Sequence, residues 1–404
     1  MADYSVALWS FNLSRAPASV FAFARQIEEG LERAAAEGAR LLVLPEYLIE
    51  CCLAFKPDGL PPEEEMSFLA DVGADLLPLL GPLPEKHGVS VLAGTMPVKT
   101  ASGITNTAIL LTSDGREIRQ DKLCLTPFEL GSGAWQLVPG TELKVFELDG
   151  LKMAILVCLD VEMPALSSLL ARQDLDLLLV PSMTEKPSGY HRVFGCAKAR
   201  AVELMCAVGV CGVVGASKGT TQNDTNFSGA ALYLPCEEEF GYSGVAAEIP
   251  LTGGTSGDEP FLVSSVPVEE LRALKSGKAE VWPGMDRGSR QGFRGLTCRK
   301  MGPMPGRKCA QSALYSMDCA ARILIYSVFR LFRCGNGIRK VDNSTGFFVA
   351  AGAERFVHQT GPVADRRPVL SARRYGTRNP LRFHARRRSP DPAQRLAGKG
   401  QAHI

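Results

Sequence analysis

The stretch AILVCLD, residues 154–160, places a thiol and a carboxylate directly after a run of four apolar residues. A short apolar run of this kind predicts a buried strand. The stretch LLVLPEY, residues 41–47, has the same arrangement and brings Glu46 to the end of its apolar run. Lys122 is predicted to lie at a third strand end. Groups at the carboxyl ends of strands line the ligand-binding crevice of an open α/β sheet. We therefore expect Cys158, Glu46 and Lys122 to share one site.

Around these stretches, strand-like and helix-like patterns alternate over the first 284 residues. The predicted strands are 4–10, 41–45, 89–93, 107–112, 145–148, 153–157, 176–181, 207–214, 229–234 and 261–265. The predicted helices are 20–36, 62–86 with an interruption at 81–84, one from about residue 165, and 191–205. Strands separated by helices indicate an α/β domain over residues 1–284.

The formal net charge of +2 conceals two parts of opposite charge. Residues 285–404 contain 24 Lys and Arg against 6 Asp and Glu, whereas residues 1–284 contain 21 against 37. Strand and helix periods fade in the second part, which predicts a basic tail of low order. Its Arg-, Pro- and Cys-containing composition also fits translation in a shifted reading frame. Aromatic and basic residues do not interleave there as in RNA-binding modules, which argues against a nucleic-acid partner.

Composition also restricts the location of the protein and its cofactors. The start of the chain lacks a basic n-region, and no apolar run reaches the length of about 18 residues that a membrane helix requires. Twelve cysteines without a CxxC pair predict reduced thiols and hence a cytoplasmic protein. Because neither HExxH nor paired CxxC motifs occur, we expect no metal and no other cofactor.

The three candidate residues suit nucleophilic chemistry. A thiol with an ordinary pKa of about 8.5 is only a few per cent thiolate at neutral pH, so it requires a base or a nearby positive charge. Glu46 is the candidate base and Lys122 the candidate cation. Attack of Cys158 on an amide or nitrile carbon develops negative charge, which Lys122 and a backbone N–H beside the thiol would stabilise.

In the order Glu46, Lys122, Cys158, these residues resemble the nitrilase superfamily of carbon–nitrogen hydrolases. The stretch CLDVEMP, residues 158–164, is similar to that family's nucleophile turn. Glu129, seven residues after Lys122, matches the second glutamate that many members carry and would orient Lys122 or the incoming group. The resemblance thus implies four catalytic residues.

The resemblance continues through VPS, residues 180–182, and RAVE, residues 200–203, and covers about residues 4–284. It implies a four-layer α-β-β-α sandwich that assembles as a homodimer or a higher homo-oligomer. It also implies a cysteine-dependent hydrolase that cleaves a non-peptide carbon–nitrogen bond through a thioester. Leu159 stands where many amidases have Tyr and nitrilases usually have Trp, so a linear amide is the first expected substrate. Nitrile hydrolysis and acyl transfer are alternatives.

Further residues are predicted to contact the substrate. They are Leu159, Thr184, Tyr190, His191 and Trp135. A papain-like pairing of Cys158 with His191 is a second interpretation of the thiol. A non-catalytic binding scaffold with the same fold is a third, although the presence of every polar member of the constellation favours an enzyme.

Overall fold

A computed structural model describes residues 3–131, 135–220, 225–253 and 257–280. The predicted basic tail, residues 285–404, and the hypothesis of a shifted reading frame lie outside these ranges. Within them, no helix is long and apolar enough to cross a membrane. Every cysteine in the described ranges is a free thiol.

Two six-stranded sheets of mixed direction form the centre of the described chain. The first sheet contains β1 (Tyr4–Trp9), β2 (Leu41–Val43), β3 (Ser90–Thr100), β4 (Gly103–Leu111), β5 (Glu117–Asp121) and β12 (Phe261–Val266). The second contains β6 (Val145–Leu148), β7 (Leu151–Ile155), β8 (Leu177–Ser182), β9 (Ala207–Gly212), β10 (Ser228–Tyr233) and β11 (Val245–Thr252). The spatial orders are β12-β1-β2-β3-β4-β5 and β11-β10-β9-β8-β7-β6.

Each sheet has three parallel strands at its centre, β1, β2 and β3 in the first and β7, β8 and β9 in the second. Parallel neighbours require crossover connections, which helices supply here. The helices are α1 (Val20–Ala36), α2 (Glu65–Leu80), α3 (Leu83–His87), α4 (Pro127–Leu130), α5 (Leu159–Glu162), α6 (Pro164–Leu170), α7 (Pro187–Leu204) and α8 (Val268–Ala273). Segments of 3-10 helix lie at Leu13–Arg15, Leu48–Phe55, Pro62–Glu64 and Glu238–Phe240, and a π-helical turn lies at Leu274–Lys278.

The two sheets pack face to face, and helices cover their outer faces. Between the sheets, Leu8 of β1 lies so close to β9 that a Cβ added at Gly209 would be 3.1 Å from its Cδ2 atom. The Cys211 thiol of β9 donates to the Val43 carbonyl of β2 over 3.5 Å. Helices α1 and α2 share an apolar cluster with the first sheet, and α7 shares one with the second. The predicted four-layer α-β-β-α sandwich is confirmed.

Three local features differ from the sequence-based prediction. Strands β5 and β11 were not expected, and both lie at the edge of a sheet. Helix α7 begins at Pro187 rather than at His191, in keeping with the fit of proline to the first turn of a helix. The short helix α5 begins directly after Cys158, whereas the sequence predicts a helix only from about residue 165.

Candidate active site

Cys158 lies in a sharp turn between β7 and α5. Its backbone has φ 48° and ψ −106°, a conformation that non-glycine residues rarely adopt. The turn is anchored because the Cys158 N–H donates to the Pro181 carbonyl over 2.9 Å, and the thiol is 3.4 Å from the Met183 carbonyl. Strain retained at one position is a frequent property of functional sites. The conformation places Sγ at the end of the strand, facing the first sheet.

The first sheet contributes the charged groups. Glu46 follows β2, Lys122 follows β5, and Glu129 lies in α4. The Lys122 ammonium donates to Glu46 Oε1 over 2.8 Å and to both carboxylate oxygens of Glu129 over 2.9 and 2.8 Å. All three side chains are only 2% exposed. One buried cation therefore joins two buried carboxylates.

Glu129 is held from two further directions. Its Oε2 accepts the Thr126 N–H over 2.7 Å, and the Thr126 hydroxyl accepts the Glu129 N–H over 3.2 Å, which forms a capping box at the start of α4. The Tyr47 hydroxyl donates to Glu129 Oε1 over 2.9 Å. These contacts fix the carboxylate against Lys122. Tyr47 was not among the predicted site residues.

Asp160, also absent from the predicted site, connects the two sheets at this point. Its carboxylate accepts the N–H groups of Leu123 and Cys124, beyond β5, over 3.2 and 2.7 Å, and that of Val157 over 3.1 Å. The segment after Lys122 is thereby tied to the turn that carries the thiol. Burial nevertheless raises the pKa of Asp160 to about 6, against the opposing effect of these N–H groups.

The surroundings of Glu46 and Cys158 raise the pKa of each side chain. Burial raises the pKa of Glu46 to about 6, although the ammonium of Lys122 opposes this shift. Burial, followed by the charge on Glu46, raises the pKa of the Cys158 thiol well above its usual range. A resting thiolate is therefore disfavoured, and ionisation of the thiol requires a proton acceptor. Glu46, which lines the same cavity as the thiol, is the candidate for that role.

Lys122 and Glu129 are stabilised in their charged forms. Burial alone lowers the pKa of Lys122, but the charges of Glu46 and Glu129 outweigh it and raise that pKa. Burial alone raises the pKa of Glu129, but the ammonium of Lys122 outweighs it and lowers that pKa. Lys122 thus remains a cation beside the thiol, and Glu129 is its permanent counterion.

A cavity of about 470 Å³ opens onto Cys158, Glu46 and Lys122. Its walls include the predicted contact residues Leu159, Thr184 and Trp135. The Trp135 ring packs edge-on against Tyr47 and Phe128, with ring centroids 4.8 and 5.0 Å apart. The rim carries charges of both signs from Glu162, Glu185, Lys186 and Arg192. The cavity thus combines an apolar wall with a charged entrance and a polar floor.

Tyr190 and His191 were predicted to contact the substrate, but neither lines the cavity. Tyr190 is buried against Phe194, with ring centroids 4.1 Å apart, and His191 is exposed. Since α7 begins at Pro187, the positions of this helix that line the cavity are 188, 189, 192 and 193, which recur with helical spacing. The papain-like pairing of Cys158 with His191 is therefore not supported.

One group of side chains outside the cavity lining has the spacing of metal ligands. In the described ranges, Glu28, Glu32 and His87 bring one ligand atom each within 4.8 Å of one another. This group is remote from the cavity lining, and Glu28 already forms ion pairs with Arg25 and Lys86. A hydrogen bond from Lys86 is the main cause that lowers the pKa of Glu28 to about 2. The cluster is an ion-pair network at the surface of α1 and α3.

The match to known protein families agrees with this geometry. A family model described as carbon-nitrogen hydrolase matches residues 12–234, more than half of the chain. The chain belongs to the carbon–nitrogen hydrolase family. The suspected membership of the nitrilase superfamily is confirmed.

Curated relatives of this carbon–nitrogen hydrolase include two proteins of Bacillus subtilis. The probable hydrolase YhcX is 29% identical over 226 residues, which are 56% of this chain and 44% of that protein. The 2-oxoglutaramate amidase is 28% identical over 150 residues, 37% of this chain and 55% of that protein. The chain thus spans about half the length of these relatives. An amidase structure from Nesterenkonia sp. superimposes with a TM-score of 0.51 at 21% identity, covering 67% of this chain and 92% of that one, which shows the shared fold.

Proposed function

We propose that this hydrolase converts a linear amide to a carboxylic acid and ammonia or an amine, with Cys158 as the nucleophile. The observation that carries the proposal is the convergence of Cys158, Glu46 and Lys122, from three separate strand ends, on the floor of one cavity. The amidase names of one curated relative and of the Nesterenkonia structure support an amide as the substrate class.

In the first step, Glu46 takes the thiol proton as Sγ attacks the amide carbonyl carbon. The new S–C bond converts the carbonyl into an oxyanion. The Lys122 ammonium and the backbone N–H of Leu159, the first residue of α5, are the proposed donors to this oxygen. Preorganised donors in a water-excluded site stabilise such charge because they need not reorient during the reaction.

In the second step, the oxyanion collapses and the C–N bond breaks. Glu46 passes its proton to the departing nitrogen, which leaves as ammonia or an amine, and the acyl group remains on Cys158 as a thioester. A carboxyl group with a pKa of about 6 suits both directions of transfer, because it exchanges protons readily near neutral pH. Glu46 then takes a proton from water, and the resulting hydroxide attacks the thioester carbon. The C–S bond breaks to release the acid, and Glu46 returns its proton to the sulfur to restore the Cys158 thiol.

Glu129 is proposed to keep Lys122 in place rather than to exchange protons. Its low pKa and its bonds to Lys122, Tyr47 and Thr126 make it a fixed anion. Assembly as a homodimer is part of the same proposal and is supported by exposed apolar side chains on two neighbouring helices, Leu169 of α6 and Val202 of α7. A cytoplasmic location is supported by the free cysteines of the described chain.

The test combines labelling with turnover. The full chain is treated briefly with iodoacetamide, and each cysteine is followed by peptide mass spectrometry while ammonia release is measured on a panel of linear amides. Cys236 is an exposed thiol outside the cavity and supplies the reference rate. We expect Cys158 to react faster than Cys236, and Glu46→Gln to abolish both this difference and ammonia release. A Cys158 that reacts no faster than Cys236, in a protein that releases no ammonia, would contradict the proposal.

A further inference from the structure

One polar side chain contacts both carboxylates of the site without lining the cavity. Asn106 lies in β4, in the segment Gly103–Leu111, and is fully buried. Its Nδ2 atom is 2.9 Å from Glu46 Oε1 and 3.3 Å from Glu129 Oε1. Its backbone carbonyl accepts the Lys122 N–H over 2.8 Å. A single residue therefore contacts the proposed base, its neighbouring carboxylate and the main chain of the lysine.

We propose that Asn106 is a positioning residue, which orients Glu46 and Glu129 by donating its side-chain amide to both. The proposal rests on the function assigned above to Glu46. Both fixed bonds of Glu46, from Asn106 and from Lys122, end on Oε1. We therefore assign proton exchange with Cys158 to the other oxygen, Oε2, on which neither of these two bonds ends.

The orientation of the amide follows from the chemistry of its neighbours. Rotating the group by half a turn would place Oδ1 against two carboxylate oxygens, which have no proton to donate when ionised. In the observed orientation, Oδ1 is buried without a hydrogen-bond partner among the described residues. Buried polar atoms are usually paired, so an unpaired oxygen carries a cost. The protein accepts this cost at Oδ1 and keeps the Nδ2 donor on the two carboxylates.

A neutral donor is required here because of the balance of charge. Lys122 supplies one positive charge to two carboxylates in a buried cluster. Asn106 supplies hydrogen bonds to the ionised forms without adding a second cation. The titratable groups that face Glu46 are Lys122, Glu129, Cys158, Tyr47 and Glu50. Lys122 is the only cation among them, so the loss of the Asn106 amide leaves the two carboxylates with that one cation and with one hydrogen-bond donor fewer.

The test compares Asn106→Asp and Asn106→Ala with a control at the adjacent buried position, Thr105→Val. Thr105 bonds to Thr107 and Val98 and does not contact either carboxylate. The pH dependence of Cys158 labelling by iodoacetamide is measured for each full chain, with thermal unfolding as a check on folding. Turnover of an amide substrate supplies kcat and KM separately.

The acid limb is the pH range in which the rate of Cys158 labelling rises as Glu46 ionises. We expect Asn106→Asp to move this limb to higher pH by about one unit or more, because a third buried acid opposes ionisation of Glu46. Asn106→Ala should shift it in the same direction and lower kcat about tenfold, with KM nearly unchanged since Asn106 does not line the cavity. Thr105→Val should leave the limb in place. A purely structural role would change thermal unfolding without moving this limb.

An unshifted limb in folded Asn106→Ala would overturn the role of Asn106, whether or not Asn106→Asp folds. Failure of the proposed function is a separate result. A wild-type chain that releases no ammonia from any amide, yet shows the shifted limb in the variants, would reject the amidase proposal and retain the positioning role.

Discussion

Replacement of Lys122 by Met tests the buried charge cluster independently of any substrate. Lys122 donates three hydrogen bonds of 2.8–2.9 Å, and its side chain and those of Glu46 and Glu129 are 2% exposed. Met keeps an unbranched apolar stem of similar length but removes the cation. Two buried carboxylates then face one another without compensation.

The expected cost follows from this burial. Removing one partner of a buried ion pair typically costs about 3–5 kcal/mol of stability, because the remaining charge stays desolvated. Here two carboxylates share the single cation, so we expect the upper part of that range. The double variant Lys122→Met/Glu129→Gln removes one of the uncompensated charges and should recover about 1–2 kcal/mol.

The cost should also depend on pH. Without Lys122, the folded-state pKa values of Glu46 and Glu129 rise above their unfolded values. A carboxyl group whose pKa is raised in the folded state makes stability fall as pH increases, because the unfolded state then binds fewer protons. The destabilisation of Lys122→Met should therefore be larger at about pH 8 than at about pH 5.

The assay is urea-induced unfolding of the full chain, followed by tryptophan fluorescence at both pH values. Lys99→Met is the matched control, because the Lys99–Asp71 ion pair is exposed and such pairs are worth about 0–1 kcal/mol. If Lys122→Met costs no more than Lys99→Met at either pH, the buried cluster does not carry the energy assigned to it.

Three other predictions concern residues around the same site. The rate of amide hydrolysis should rise with pH through about 6, since Glu46 must be ionised to take the thiol proton; kcat/KM measured against pH checks this. Gly94→Ala should cost about 1–3 kcal/mol more in urea unfolding than Gly88→Ala, because both have φ near 65° but only the Cβ at Gly94 clashes, 2.1 Å from the Pro45 carbonyl oxygen. Asp160→Asn should cost about 1–3 kcal/mol and slow Cys158 labelling, because Asp160 accepts three backbone N–H groups.

Each of these has a result that contradicts it. A kcat/KM that is constant between about pH 5 and 8 would remove Glu46 as the titrating base. Equal costs for the two glycine variants would mean that the backbone near Pro45 yields to the added methyl group. A stable Asp160→Asn variant with unchanged labelling would show that other contacts join Lys122 to the thiol turn.

Much of the fold was predictable because buried parallel strands are nearly continuous apolar runs. The runs in β2, β7 and β8 all became central strands. Strands β5 and β11 escaped prediction because edge strands are paired on one side only and carry more polar residues. In β11 the alternation of intermediate and exposed positions has no apolar core face to reveal it.

The position of α7 shows a second limit of sequence reasoning. Starting the helix at His191 directs attention to that residue and to Tyr190 as the pocket wall. Residues 187–190 are helical, so only the face with Ser188, Gly189, Arg192 and Val193 lines the cavity. Because each residue turns the helix by about 100°, Tyr190 and His191 lie on the opposite side of the helix.

The sequence by itself determined the positions of Glu46 and Cys158, because the apolar run that precedes each marks a strand end, whereas Lys122 follows the polar edge strand β5. Only the tertiary structure decided how those groups are held. Asn106 is 60 residues from Glu46, Tyr47 is 82 residues from Glu129, and Asp160 is 37 residues from Leu123. The first two contacts depend on the order of strands within the first sheet and the third on the packing of one sheet against the other, and no local pattern in the chain records which distant side chain will be brought into contact.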